Sequence, residues 1–294
     1  MTRIEQFGWR GAVEPGVGRI VSAHGDYFHL VCNEQPTGEI LARRKKSVFT
    51  RMKTVAPISM KGLKVSEERL VQPPQPITGD FVRFRYNAQG DSMITEVLPR
   101  FSHFERKDPT ARRTSQTLAV NFDTLFIMMS LNENFSTARI GRFLDLAKDM
   151  GEAEPVVVVT KADLQEPGDE AFLSALAEEV DGAAKTIKIS AFSGEGMDLV
   201  EAYAKPGRTL AFIGSSGVGK STLLNRLVGE EWQATQEIQE WSGKGRHTTT
   251  SRELVMLPSG AMVIDTPGVR EIGLVGEREE LQAKGESTHR YRKC

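Results

Sequence analysis

Gly214-Ser215-Ser216-Gly217-Val218-Gly219-Lys220-Ser221 spells G-x-x-x-x-G-K-S. It follows the apolar run Thr209-Leu210-Ala211-Phe212-Ile213 and precedes Thr222-Leu223-Leu224-Asn225-Arg226-Leu227-Val228, which Gly229 stops. Strand, loop and helix in that order are what a phosphate-binding loop needs. The glycines let successive N–H groups turn inward around phosphate oxygens, and the helix N-terminus adds its positive end. Gly214 to Thr222 is therefore the expected phosphate site. Lys220 reaches the β/γ-phosphates and is a catalytic candidate, and Ser221 holds Mg²⁺. The stretch predicts a nucleoside-triphosphate site.

About a hundred residues of α/β pattern precede this loop, although such loops normally open their domain. Thr160-Lys161-Ala162-Asp163 follows Pro155-Val156-Val157-Val158-Val159, an apolar run of buried-strand type. It resembles the N-K-x-D guanine motif, in which a carboxylate accepts from guanine N1–H and N2–H₂. Ser190-Ala191-Phe192 ends the strand Lys185-Thr186-Ile187-Lys188-Ile189 and matches the backbone contact to guanine O6. Downstream, Asp265-Thr266-Pro267-Gly268 closes the strand Ala261-Met262-Val263-Ile264 and matches D-x-x-G. Its Asp265 is expected on Mg²⁺ through water and its Gly268 on the γ-phosphate. In Gly245-Arg246-His247-Thr248-Thr249-Thr250 a threonine, Thr249 or Thr250, completes the Mg²⁺ shell. All five motifs of a GTPase are present, in the order fourth, fifth, first, second, third. That order is a circular permutation, which keeps a fold while moving its ends.

The N-terminal part reads differently. Residues 17–22, 27–32, 38–42, 80–86 and 92–97 form five strand-like pieces that fit an all-β OB-fold barrel. The net charge of −1 hides an asymmetry. Residues 1–100 hold 15 Lys/Arg against 10 Asp/Glu, and Arg43, Arg44, Lys45, Lys46, Arg51, Lys53, Lys61 and Lys64 run with no acid between Glu39 and Glu67. Such a run is usually a solvated face; on an OB barrel it can track a phosphate backbone. Phe28, Phe81 and Phe84 are read as core rather than stacking platforms. Arg100 to Gln116 reads as a polar, basic linker, followed by the strand Thr124–Met129. A helix then spans about Ser136 to Met150, with Ile140, Phe143, Leu144 and Ala147 on one face.

Two cysteines, Cys32 and Cys294, cannot build a disulfide framework, and neither a secretory leader nor a long apolar run is present. A cytoplasmic, soluble monomer without a membrane partner is expected. The expected division is 1–98 for the tail and barrel, 99–275 for the permuted α/β P-loop GTPase domain, and 276–294 for the start of a third domain.

GSSGVGKSTLLNRL (214–227), GKGRHTTTSREL (243–254), DTPGVRE (265–271) and VLPRFSHFERKD (97–108), in this permuted order, resemble the RsgA (YjeQ/YloQ) family over nearly the whole chain. The resemblance implies an OB-fold, a permuted GTPase domain using GTP/GDP and Mg²⁺, and a C-terminal zinc-binding helical domain. It implies action in late maturation of the small ribosomal subunit, with rRNA contact and with hydrolysis stimulated by that subunit. It also makes His247 the catalytic candidate, a structural histidine being the alternative. Two departures bear on this. Thr160 replaces the motif's Asn, which predicts a weaker side-chain tie to the phosphate loop. Val269 follows D-x-x-G where Ras-type enzymes carry a water-orienting Gln, which predicts slow intrinsic hydrolysis. The family's Zn²⁺ pattern is met only by His289 and Cys294 before the chain stops, and a closed structural site needs four ligands. Either the chain is incomplete, the favoured reading, or this version lacks the metal. Two rival functions stay open: an RNA-binding protein with nucleotide as structural ligand, and a GTPase of large-subunit assembly.

Overall fold

A computed structural model describes residues 1–49, 53–55, 69–71, 73–107, 115–130, 136–215, 217–229 and 253–265. After a short helix, α1 (Arg3–Gln6), the chain forms β1 (Val17–His24), β2 (Tyr27–Cys32) and β3 (Ile40–Arg44). Next come α2 (Lys46–Phe49), the paired β4 (Lys53–Val55) and β5 (Arg69–Val71), then β6 (Phe81–Arg85) and β7 (Ser92–Val97). β1 pairs with both β2 and β6, β2 with β3, β3 with β7 and β7 with β6, so five strands close into a barrel. This is the OB-type barrel expected from the strand pattern.

Side-chain alternation builds its interior. Along β3 the pattern runs Ile40 in, Leu41 out, Ala42 in, Arg43 out. Ile20, Phe28, Leu30, Ala42, Val82, Phe84 and Ile94 fill the barrel. Phe28, Phe81 and Phe84 are all buried, as the core reading requires. The ring left exposed on β2 is Tyr27, with the Arg43 guanidinium 4.5 Å from its centroid.

The described parts of the segment read as a linker, residues 100–107 and 115–116, are instead structured. β8 (His103–Lys107) and β9 (Ser115–Val120) form an antiparallel pair. Phe104, Leu118 and Ala119 from it enter the neighbouring core, and this apolar insertion outweighs the surrounding charge. Arg100 is likewise fixed, donating through Nε to the buried Asp80 carboxylate at 2.8 Å.

The α/β part contains β10 (Thr124–Ser130), α3 (Thr137–Ala147), β11 (Glu154–Thr160), a 3-10 turn (Ala162–Leu164) and α4 (Asp169–Val180). It continues through β12 (Lys185–Lys188), α5 (Met197–Glu201), β13 (Thr209–Gly214), α6 (Lys220–Val228), β14 (Glu253–Met256) and β15 (Met262–Asp265). β12, β11, β10, β13 and β15 lie side by side and parallel, with β14 antiparallel at the end. β10 is buried at every residue because helices cover both faces. Leu125, Ile127 and Met129 pack with Ile140, Phe143 and Leu144 of α3 and Leu176 of α4. Phe126 and Met128 pack on the opposite face with Val200 of α5 and Leu223 of α6. The Ser136 hydroxyl caps α3 by accepting from Arg139 N–H at 3.3 Å.

The two sheets are continuous, since Ser22 of β1 pairs with Glu253 of β14. Beside this seam Arg19 is 1% exposed. It donates to Phe7 O at 2.6 Å, Asn121 O at 2.7 Å and Thr209 Oγ1 at 3.0 Å, and lies 4.8 Å from the centre of the Phe81 ring. Burial pushes its guanidinium down to about 9, which leaves it cationic at neutral pH.

Candidate nucleotide-binding site

After β12, at the sheet edge, the chain crosses back to place β13 on the other side of β10. Such a reversal opens a crevice at the carboxyl ends of the strands. The loop after β13 occupies it. Gly214 ends β13 at φ +155°, and a Cβ there would sit 2.6 Å from Met128 O, so only glycine allows the close approach to β10. Gly219, at φ +93°, is the N-cap of α6. The first N–H groups of that helix have no intrahelical acceptor and carry the positive end of its dipole.

Lys220 Nζ folds back over the loop, donating to Gly214 O at 2.6 Å and Ser215 O at 2.8 Å. Ser215 Oγ is buried with no hydrogen-bond partner. An orphan hydroxyl, a folded-back ammonium and a helix N-terminus around one loop fit phosphate oxygens. Ser221 and Thr222 stand exposed in the first turn. The backbone of Asp265 ends β15, parallel to β13 through the pair Ala211–Ile264. Ser221, in the first turn of the helix that follows β13, and the backbone of Asp265 at the end of β15 thus belong to neighbouring strands of the sheet and their loops.

The other expected residues converge on the same end. β11 finishes at Thr160, whose hydroxyl lies 2.6 Å from Val218 O and 3.2 Å from Met129 O. A side-chain tie to the phosphate loop is therefore present with threonine in place of the motif's asparagine. Threonine's shorter side chain suffices because β11 runs close enough for its hydroxyl to reach. Lys161 adopts φ +61°, an uncommon left-handed conformation for a non-glycine residue. Ala162 N–H to Ile189 O at 3.0 Å holds the turn against the end of β12. In the following turn Ser190 N–H donates to Glu195 O and Gly194 N–H to Ser190 O, and Ser190 Oγ accepts from Ser193 N–H. That turn closes without drawing on the Ala191 N–H.

Between these turns and α6 lies a cleft of about 210 Å³ lined by Thr160, Lys161, Asp163, Leu164, Ala191 and Phe192, among others. Its walls are mostly apolar, with the Asp163 carboxylate as the anionic group. The pattern reading missed Leu164 and Leu223 as wall residues. An exposed leucine within the polar run Asp163-Leu164-Gln165-Glu166 was the available signal for the first. A larger cleft, about 840 Å³, opens at the amino ends of the strands around Asp123, Glu154, Lys185 and Arg208, away from the phosphate loop. Its charges are mixed, and Asp123 is already engaged by Arg10 and Arg208.

Ser216, His247, Thr249, Gly268, His289 and Cys294 lie outside the described residues. Among the described residues no group of three or more His, Cys, Asp and Glu side chains could hold a metal ion, and no helix is long and apolar enough to cross a membrane.

Residues 97–275 match the family described as RsgA GTPase. The chain is 40% identical over 256 residues to the small ribosomal subunit biogenesis GTPase RsgA 2 of Lactiplantibacillus plantarum, covering 87% of this chain and 66% of that protein. It is 36% identical to the RsgA of Leptospira interrogans, covering 90% and 66%. It thus spans just under two thirds of the length of these curated relatives. Among solved structures, YjeQ from Thermotoga maritima superposes with a TM-score of 0.58 at 26% identity, covering 85% of this chain and 74% of that one. YloQ, described as a circularly permuted GTPase, gives 0.53 at 21% identity, covering 88% and 74%, a likeness of fold. The family match takes in the phosphate loop, both turns of the cleft and the strand ending at Asp265, in the permuted order: the chain belongs to the RsgA GTPase family.

Proposed function

We propose that this protein binds GTP, associates with the small ribosomal subunit, and hydrolyses GTP to GDP and phosphate as it assists late maturation of that subunit. The observation that carries the reading is the hydroxyl of Thr160 on Val218 O, which joins the Asp163 cleft to the phosphate loop as one site. The printed names of the relatives support the ribosomal assignment.

In this reading the Asp163 carboxylate accepts from the guanine edge and the Ala191 N–H meets O6. The loop Gly214–Ser221 and the ammonium of Lys220 hold the phosphates. Ser221, Thr249 and Asp265 hold Mg²⁺, which when bound neutralises charge on the phosphate oxygens. Val269 offers nothing to an attacking water, so turnover alone is slow. His247 supplies the missing group once the subunit orders its segment. The basic run from Arg43 to Lys64 grips rRNA. We further propose the division 1–98 for the tail and barrel, 99–275 for the GTPase domain and 276–294 for part of a zinc-binding domain, with His289 and Cys294 as a partial Zn²⁺ site, and a monomeric cytoplasmic protein.

The test is GTP turnover of the full chain alone, with purified small subunits and with large subunits. Stimulation by small subunits on the order of ~10³-fold or more is expected. Stimulation by large subunits only would move the function to large-subunit assembly. Binding to either without stimulation would make the nucleotide a structural ligand.

A further inference from the structure

Phe192 is 85% exposed, the most of any Phe, Tyr or Trp among the described residues. Its backbone is not loose. The turn that carries it is closed by Ser190 N–H to Glu195 O at 2.9 Å, Gly194 N–H to Ser190 O at 2.9 Å and Ser193 N–H to Ser190 Oγ at 3.0 Å. Gly196, at φ +68°, packs so tightly on Lys188 O that a Cβ there would lie 2.3 Å from it. A fixed turn therefore presents a bare ring at one place, and that place is the rim of the 210 Å³ cleft.

The cleft explains the exposure. Thr160, Lys161, Asp163 and Leu164 line it from the β11 side, Ile189, Ala191 and Phe192 from the β12 side, and α6 closes it with Gly219, Thr222 and Leu223. One carboxylate stands among walls that are otherwise mainly apolar. A flat ligand with polar edges and two π-faces satisfies that combination, since its edge needs Asp163 and its faces need apolar cover. Leu164 is 61% exposed on the same rim, so apolar surface is available on both turns.

We propose that the Phe192 ring is the lid of this cleft, stacking on the purine face of a bound guanine nucleotide and raising the affinity for GTP and GDP alike. The inference rests on the guanine reading of the site. Base–aromatic stacking contributes about 1–3 kcal/mol per base, which converts to roughly 5- to 150-fold in affinity. The base does not change between substrate and transition state, so this binding is uniform: the Michaelis constant rises when it is lost, while the maximal rate holds.

The experiment measures GDP, GTP, ADP and xanthosine diphosphate affinities by calorimetry for the full-length wild type and for Phe192→Ala, Phe192→Tyr and Asp163→Asn. Phe192→Ala should weaken GDP and GTP by the same factor, within the range above. Its melting temperature should stay at the wild-type value, because the ring is exposed. Phe192→Tyr, which keeps the ring, should bind within about twofold of wild type. Should Phe192→Ala bind GDP as tightly as wild type while Asp163→Asn loses GDP and gains xanthosine diphosphate, the lid is refuted and the guanine reading stands. Should wild type bind ADP as well as GDP, with Asp163→Asn without effect, the guanine reading and the lid fall together.

Discussion

Thr160 Oγ1 stands 2.6 Å from the carbonyl oxygen of Val218, so the strand that leads to Asp163 is bonded directly to the loop that leads to Lys220. Both groups are buried, and the contact spans 58 residues of sequence. Removing the hydroxyl leaves a buried carbonyl short of its donor, at about 1–3 kcal/mol. Thr160→Val should therefore lower the melting temperature and, by loosening the join between the two halves of the site, measurably weaken GDP binding. Thr160→Ser should keep both near wild type. Equal affinity in the valine variant would show that the two halves of the site are positioned independently.

Lys220 Nζ donates to two carbonyl oxygens of its own loop, those of Gly214 and Ser215, which places the ammonium beside the expected phosphates. Lys220→Ala should abolish measurable triphosphate turnover and tight GTP binding, while circular dichroism shows a folded protein. Unchanged turnover in that variant would remove the phosphate-loop assignment.

Arg19 joins barrel to nucleotide sheet through acceptors on Phe7, Asn121 and Thr209. Arg19→Met keeps much of the volume but strands several buried acceptors. A loss of about 3–5 kcal/mol is expected, since each buried acceptor left without its donor costs about 1–3 kcal/mol. That corresponds to roughly 6–20 °C in melting temperature for a unit of this size. A shift of a degree or less would mean that the junction is held by β1 and β14 alone.

Deleting residues 1–98 would expose this junction, so the proposed rRNA contact is better tested on the whole chain. Replacing Lys45, Lys61 and Lys64 together by Glu should weaken small-subunit binding and make its salt dependence shallower, by about one unit of log–log slope per lost phosphate contact. His247→Ala should retain subunit binding and lose most of the stimulated turnover. If the lysine variant binds with the wild-type slope, the grip lies elsewhere; if the histidine variant turns over at the full stimulated rate, His247 is structural.

Much of this architecture was legible because single residues carry strong constraints. The Gly214–Ser221 spacing fixed a strand–loop–helix, and Val156–Val159 could only be a strand covered on both sides. The barrel strands announced themselves by alternation, as in Ile40, Leu41, Ala42 and Arg43. Three things were not legible. The β8–β9 pair is short, and its charges mask Phe104 and Leu118. The Thr160 tie depends on how near β11 runs to the phosphate loop, which no local pattern encodes. The burial of Arg19 has no local mark, because two of its acceptors lie 102 and 190 residues away.

Those separations give the Ser22–Glu253 seam a meaning for biosynthesis. Residues 17–97 contain all five barrel strands, so the barrel can close while the rest of the chain is still being translated. Arg19 then faces outward without its Asn121 and Thr209 acceptors. At roughly 5–20 residues per second, the stretch from the end of β7 at Val97 to Thr209 takes on the order of 6–20 s to polymerise. Glu253 arrives later still, and β13 must enter between β10, already made, and β15, made last. The nascent barrel therefore spends roughly its first 8–30 s as an independent basic module, and its docking face is covered only when the final strands emerge.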